Sequence, residues 1–197
     1  QHWAFDSSLA QMTVDASLAA ALLDNVVPAN RSRAGAPMRF SFGCLVPQNF
    51  ALLERLALVV QKQLYDVGVD MRLESVAFDE FNARIVNGRF DSVILDLIGG
   101  PSLVRAYQFW HSPTRNTGAN VFGYRNTEVD KWLNTIRHAP DDNSLRAAAL
   151  QLQRAMSTDP PATLAIAPPA PTAVAIPVPA WLCSNETFLS VNAPPTF

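Results

Sequence analysis

Three runs of sequence decide the fold: Met38-Arg39-Phe40-Ser41-Phe42, Val69-Asp70-Met71-Arg72-Leu73-Glu74-Ser75-Val76 and Arg89-Phe90-Asp91-Ser92-Val93-Ile94-Leu95-Asp96-Leu97-Ile98. The first alternates apolar and polar residues, the period of a half-buried strand. The second puts Val69, Met71, Leu73 and Val76 on an inner face. The third holds a continuous apolar stretch, which suits a central strand covered on both faces. Between the first two runs, Leu53, Leu56, Ala57, Val60, Leu64 and Val67 recur at three- and four-residue steps, predicting a helix over about 49–67. Gly68 follows where a left-handed cap belongs. Between the second and third, a helix is expected over about 79–87, capped by Asp79, turned inward at Phe81 and Ile85 and closed by Gly88. Strand, helix, strand, helix, strand is a βαβαβ unit, with parallel strands and right-handed crossovers. The fold class is α/β.

Outward from this unit the chain changes character. Residues 1–36 are weakly organised: Ala16 to Leu23 reads as a short helix capped by Asp15, ended by Pro28 and followed by a linker over 30–35. On the other side, Gly99-Gly100-Pro101-Ser102 is a sharp turn, and Tyr107, Phe109 and Trp110 form an aromatic segment. Thr127-Glu128-Val129-Asp130 resembles a capping box with Asp in place of Glu, and opens a helix to about 138. Asp141 or Asp142 caps a second helix to about 157, which Asp159-Pro160-Pro161 stops. The stretch 162–197 is rich in Pro and Ala with Glu186 as its one charge. Thr172 to Ile176 reads as a single strand and the rest as irregular chain. The domain expectation is therefore 1–36 as helix and linker, 37–160 as an α/β lobe with a helical pair, and 161–197 as a Pro-rich return segment or an aberrant tail.

Composition removes several function classes. The 197 residues are 49% hydrophobic and 16% charged, which is core-forming material and too little charge for a disordered chain. A formal net charge of −2 with scattered Arg and Lys gives no nucleic-acid footprint. No apolar run is long enough for a transmembrane helix. The chain opens on Gln1-His2-Trp3 without a signal-like segment, which reads as a mature product or a fragment and leaves the compartment open. Cys44 and Cys183 lack metal-ligand spacing and are taken as two unpaired small hydrophobes. A disulfide between them would need an oxidising compartment. No cofactor motif and no phosphate-binding G-x-x-x-x-G-K-[ST] loop is present, so this is not a transport ATPase.

The candidate contact segment runs from Asp96 to Trp110, because chain leaving the carboxyl ends of central strands opens onto the crevice where α/β folds bind ligands. Asp96 ends the strand. Gly99, Gly100, Pro101 and Ser102 allow close backbone approach. Arg105 offers a fork for a carboxylate. Tyr107 and Trp110 offer stacking surfaces with a polar tip, and Tyr124, between Gly123 and Arg125, is added as a cleft-facing candidate. Against this stand a solvated Arg105, a structural Tyr124, and Phe109 and Trp110 as core. His111 with Ser102 and Asp96 contains the residue types of a hydrolase triad. No serine sits in a G-x-S-x-G elbow, so catalysis is not expected.

Taken in order, these pieces resemble the family-5 extracellular solute-binding proteins, receptors for oligopeptides, dipeptides and nickel complexes. The resemblance runs from about Pro37 to Pro161. Leu64 to Met71 is similar to the family's "L-x-x-x-G-I-x-V" step. Phe81 to Asp91 is similar to "F-x-x-x-x-x-x-G-x-F-D", and Phe109-Trp110-His111-Ser112 to "F-x-x-S". Asn120 to Lys131 resembles "N-x-x-G-Y-x-N-P-E-V-D-x-L", and Leu152-Gln153-Arg154 through Asp159-Pro160-Pro161-Ala162 its "LQ…L…D-x-P-x" ending. The resemblance implies a type II periplasmic-binding-protein-like fold. It also implies a two-lobed extracytoplasmic receptor that closes on a small solute such as a peptide and delivers it to an ABC permease. This chain would supply most of the second lobe, with the N-terminal lobe missing. Peptide-binding members carry an acid within a "G-W-x-x-D-x-x-D-P" stretch; here Leu95 to Pro101 has no tryptophan, and Asp96 comes earlier. The contrasting expectation is a stand-alone α/β module that docks a partner protein, its cleft face an exposed apolar patch.

Overall fold

The computed structural model describes residues 6, 8–9, 15–27, 30–31, 37–97, 103–113, 120–161, 163–166, 174–176 and 186–191. The Asp15 carboxylate accepts the Leu18 N–H and so starts helix α1 (Ala16–Val26). Strand β1 (Asn30–Arg31) pairs antiparallel with β2 (Pro37–Met38). The predicted unit then follows as β3 (Phe40–Pro47), α2 (Ala51–Asp66), β4 (Val69–Val76), α3 (Phe78–Val86) and β5 (Ser92–Leu97). Both β4 and β5 are parallel to β3, which lies between them.

The sheet explains where the apolar residues went. Cys44, Leu45 and Val46 of β3 are buried, as are Val93 and Ile94 of β5 and Val69 and Met71 of β4. From α2, Leu53, Leu56 and Ala57 close one face, as their spacing requires. Asn49 turns the chain from β3 into α2 with a positive φ of 66°, which Asn tolerates, and gives its N–H to Glu54. Gly68 ends α2 at φ 82°. Asp79 is not the cap of α3. That helix starts one residue earlier, from an uncapped Ala77, and Asp79 sits in the first turn, where its charge favours the helix dipole.

One side chain of this unit escaped the alternation rule. Arg39, expected to face solvent, is 6% exposed at its side chain. It donates to the carbonyls of Val67, Val27 and Ala20 and pairs with Asp24 at 2.7 Å. A guanidinium is buried here because nearly all its donors meet an acceptor. The result pins α1 to the start of the sheet.

Downstream come α4 (Val104–Trp110), α5 (Thr127–Arg137) and α6 (Asp142–Thr158). Leu103, Ala106 and Trp110 from the first, Val129, Leu133 and Ile136 from the second, and Ala148, Ala149, Leu152 and Met156 from the third share one core. The cap of α5 is Asn126, whose side-chain oxygen accepts the N–H groups of Glu128 and Val129. The Thr127 box is therefore displaced by one residue. Asp141 caps α6 through Ser144, and those hydrogen bonds hold its carboxyl below the usual range. Among the described residues three strands follow, β6 (Thr163–Ile166), β7 (Val174–Ile176) and β8 (Glu186–Val191), with β6 antiparallel to β8. The stretch read as mostly irregular thus holds more strand than the one expected near 172–176.

The chain forms two compact units. One takes Thr13–Leu95 with Ala167–Val174 and Ala193–Phe197; the other takes Gln1–Met12, Asp96–Ile166 and Ala175–Asn192. The boundary between Leu95 and Asp96 falls inside the span 37–160 that the sequence reading kept together.

Candidate functional site

Every candidate contact residue falls in the Asp96–Ile166 stretch of the second unit. Asp96 is exposed one residue before the end of β5, after four buried residues. Gly99, Gly100, Pro101 and Ser102 lie outside the described residues. Beyond them, α4 sorts its side chains by helical period. Leu103, Ala106 and Trp110 point into the core, while Arg105 and Gln108 are exposed on the opposite side.

This sorting decides the aromatic candidates. Trp110 has no exposed surface and stacks on Phe122 at 5.3 Å, with Tyr124 edge-on at 6.4 Å. It is core and offers no face to a ligand. The physical reason is its place on α4, four residues after Ala106 and on the same stripe. Tyr107 is half-buried at the edge of that stripe. Its ring meets the His111 imidazole at 4.4 Å and carries the Arg137 guanidinium 5.0 Å from its centre, so its stacking surface is already used within the unit.

Tyr124 is likewise engaged. Its hydroxyl donates to the Asp159 carbonyl at 2.9 Å, and Asn126 donates to the Asp159 carboxylate at 2.8 Å. Burial, then the Asp159 charge, pushes the Tyr124 phenol far above its ordinary range. Asn120 binds the loop from within: its amide donates to the carbonyls of His111 and Tyr124 and its oxygen accepts the Tyr124 N–H. Gly123 supplies the positive φ of 67° that the turn requires. The Asn120-x-x-Gly123-Tyr124-x-Asn126 motif is therefore a latch that holds its loop to the end of α6.

His111 is fixed in a similar way. Its Nδ1 lies 3.0 Å from the Ser112 carbonyl, and its Nε2 lies 3.1 Å from the Asn134 amide nitrogen. One tautomer satisfies both contacts, with Nδ1 donating and Nε2 accepting. The neighbouring carboxylate is Asp130, whose Oδ1 accepts the Ser112 N–H. A histidine with both nitrogens in use has no lone pair left for a nucleophile. Among the described residues no cluster of His, Cys, Asp and Glu could hold a metal ion. Of the described candidates, Asp96 and Arg105 are exposed.

No family model matches the chain. Over 130 residues, 64% of the chain, it is 26% identical to the oligopeptide-binding protein AppA of Bacillus subtilis, a match that spans 23% of that protein. The solved AppA, in complex with a nonapeptide, superposes with a TM-score of 0.69 at 17% identity, covering 96% of this chain and 36% of its own. NikZ of Campylobacter jejuni, in complex with Ni(L-His), gives a TM-score of 0.65 at 16% identity over 90% of this chain and 34% of its own. The chain is similar in sequence to an oligopeptide-binding protein and similar in fold to solved peptide- and nickel-complex-binding proteins. It carries their mixed α/β fold, and it spans about a third of the length of the solved structures it matches. A third member of the set, DppA of Helicobacter pylori in complex with the peptide STSA, matches with a TM-score of 0.67 at 15% identity, over 96% of this chain and 33% of its own. The motif residues Asn120, Tyr124, Asn126 and Asp159 are joined to one another by hydrogen bonds within their unit. Sequence alone had left Tyr124 open between the two roles.

Proposed function

We propose that this chain is the lobe-forming part of an extracytoplasmic solute-binding component of an ABC importer, capturing a small solute such as a peptide. The observation that carries this is the fold shared with AppA, NikZ and DppA over nine-tenths or more of the chain, three proteins solved with a peptide or a nickel–histidine complex. Residues 37–160 supply the lobe, 1–36 lead into it from the other lobe, and 161–197 return from it. Asp96, Arg105 and the turn Gly99-Gly100-Pro101-Ser102 present the contact surface, with Tyr107 and Arg137 bracing α4 behind it. Ligand contacts from two lobes would draw an open form closed, and the closed form would dock on a permease.

One lobe supplies part of the contacts, so the 197-residue chain should bind weakly, on the order of millimolar. The test is an NMR titration of the isotope-labelled chain with tri- to pentapeptides and with a nickel–histidine complex. Saturable shifts confined to Asp96, residues 99–102 and Arg105 are the expected result. Shifts absent for every probe, or scattered over both units, would remove the solute-capture reading.

A further inference from the structure

Strand β4 has β3 on one side and, among the described residues, no strand on the other. The ladder fixes which of its backbone groups face outward. Arg39 donates to the Gly68 carbonyl and Gln48 to the Val76 carbonyl, and the register from Phe40↔Val69 to Pro47↔Val76 is unbroken. In a parallel pair alternate residues bond to the neighbour. Asp70, Arg72 and Glu74 therefore bond to β3, and Val69, Met71, Leu73 and Ser75 aim their N–H and C=O groups away from it.

Two of those outward carbonyls are occupied by side chains. The Gln61 amide donates to the Met71 carbonyl at 2.8 Å, and the Gln48 amide donates to the Ser75 carbonyl at 3.2 Å. The two glutamines come from different places, the third turn of α2 and the turn after β3, and meet the same edge four residues apart. Such an edge is a template for another strand. The strand it fits best is a second copy of itself. In an antiparallel pair centred on Leu73, Met71 lies opposite Ser75 of the second copy and exchanges hydrogen bonds with it, and Arg72 lies opposite Glu74. Centred on Met71, the pair sets Asp70 opposite Arg72. Only the intervening register, centred on Arg72, brings like charges together.

We infer that Gln48 and Gln61 are edge guards, which keep β4 from pairing with β4 of a second copy by filling the acceptors such a pair would use. This does not depend on solute capture. The test is the solution mass of the whole chain, by light scattering during size-exclusion chromatography from micromolar to about millimolar concentration, for wild type, for Gln48→Ala with Gln61→Glu, and for the same pair with Arg72→Asp. The glutamate keeps the size of Gln61 and removes its donor. The doubly changed chain should form concentration-dependent dimers, and Arg72→Asp, which faces Asp70 or Glu74 with like charge in the favoured registers, should return it to monomer. A doubly changed chain that keeps wild-type mass would overturn the inference, as would dimers indifferent to Arg72→Asp or a wild type already dimeric through this edge. Amide exchange on the unaltered chain is the check that needs no folded variant. Leu73 N–H, which faces outward, should exchange at least tenfold faster than Arg72 and Glu74 N–H; equal protection would also overturn it.

Discussion

Cys44 shows how a single buried group ties stability to pH. It is fully buried in β3, and desolvation pushes its thiol up to about 11, because the thiolate would sit among apolar neighbours. The folded state thus favours the protonated form. The contribution is fully present below the ordinary thiol range near 9.0 and is lost as the pH rises through about 11. Its size is on the order of 2–3 kcal/mol. Urea melts at pH 8 and pH 11 should differ by more in the wild type than in Cys44→Ala, and equal differences would refute this. Iodoacetamide at pH 8 should leave Cys44 unmodified until denaturant is added. Neither the depth of this cysteine nor the burial of Arg39 could be read from sequence. An alternating strand predicts which face a side chain takes, and it does not say what covers that face.

At the scale of elements, periodicity and caps carried most of the information. Asp15 and Asp141 cap their helices as their place before an apolar stripe implies. The cap of α5 shows the limit, since Asn126 and Thr127 are both good caps and the choice fell to Asn126. The reason is tertiary: Asn126 caps α5 with its oxygen and reaches Asp159 with its amide, so one side chain fills two needs. Replacing Asn126 by Ala should cost about 1–2 kcal/mol in a denaturant melt, since it loses both a cap and a latch bond. Tyr124→Phe, which loses only the hydroxyl bond to Asp159, should cost about 1 kcal/mol. If Tyr124→Phe abolished solute shifts while leaving the melt unchanged, Tyr124 would be a contact and the latch interpretation would fall. Helix α4 was missed because its seven residues are rich in aromatics, which read equally well as loop anchors.

For the molecule as a whole, the same unit is built from sequence-distant segments. Asp6 is 7% exposed and gives its N–H to Gln153, while its carboxylate accepts from Ser8 and from Arg154, 148 residues away in sequence. The Ser8 hydrogen bonds, and then Arg154, hold its carboxyl below the usual range. A lowered folded value means stability that is present above the ordinary carboxylate range near 3.8 and lost as the pH falls through the folded value. Asp6→Asn should therefore melt lower than wild type at pH 7, by about 1–2 kcal/mol, and the gap should close as the pH falls through the folded value. A gap that persists there would assign the loss to packing. Sequence by itself determined the βαβαβ order, the helical pair, the inward faces and the family likeness, because these rest on local period, caps and turn chemistry within a few residues. Only the tertiary structure decided that Trp110 is core, that Tyr107 and Tyr124 are already engaged, that Asn126 outcompetes Thr127, and that Arg39 and Asp6 are buried. Each of those outcomes depends on a partner far along the chain, and a pattern of near neighbours carries no record of it.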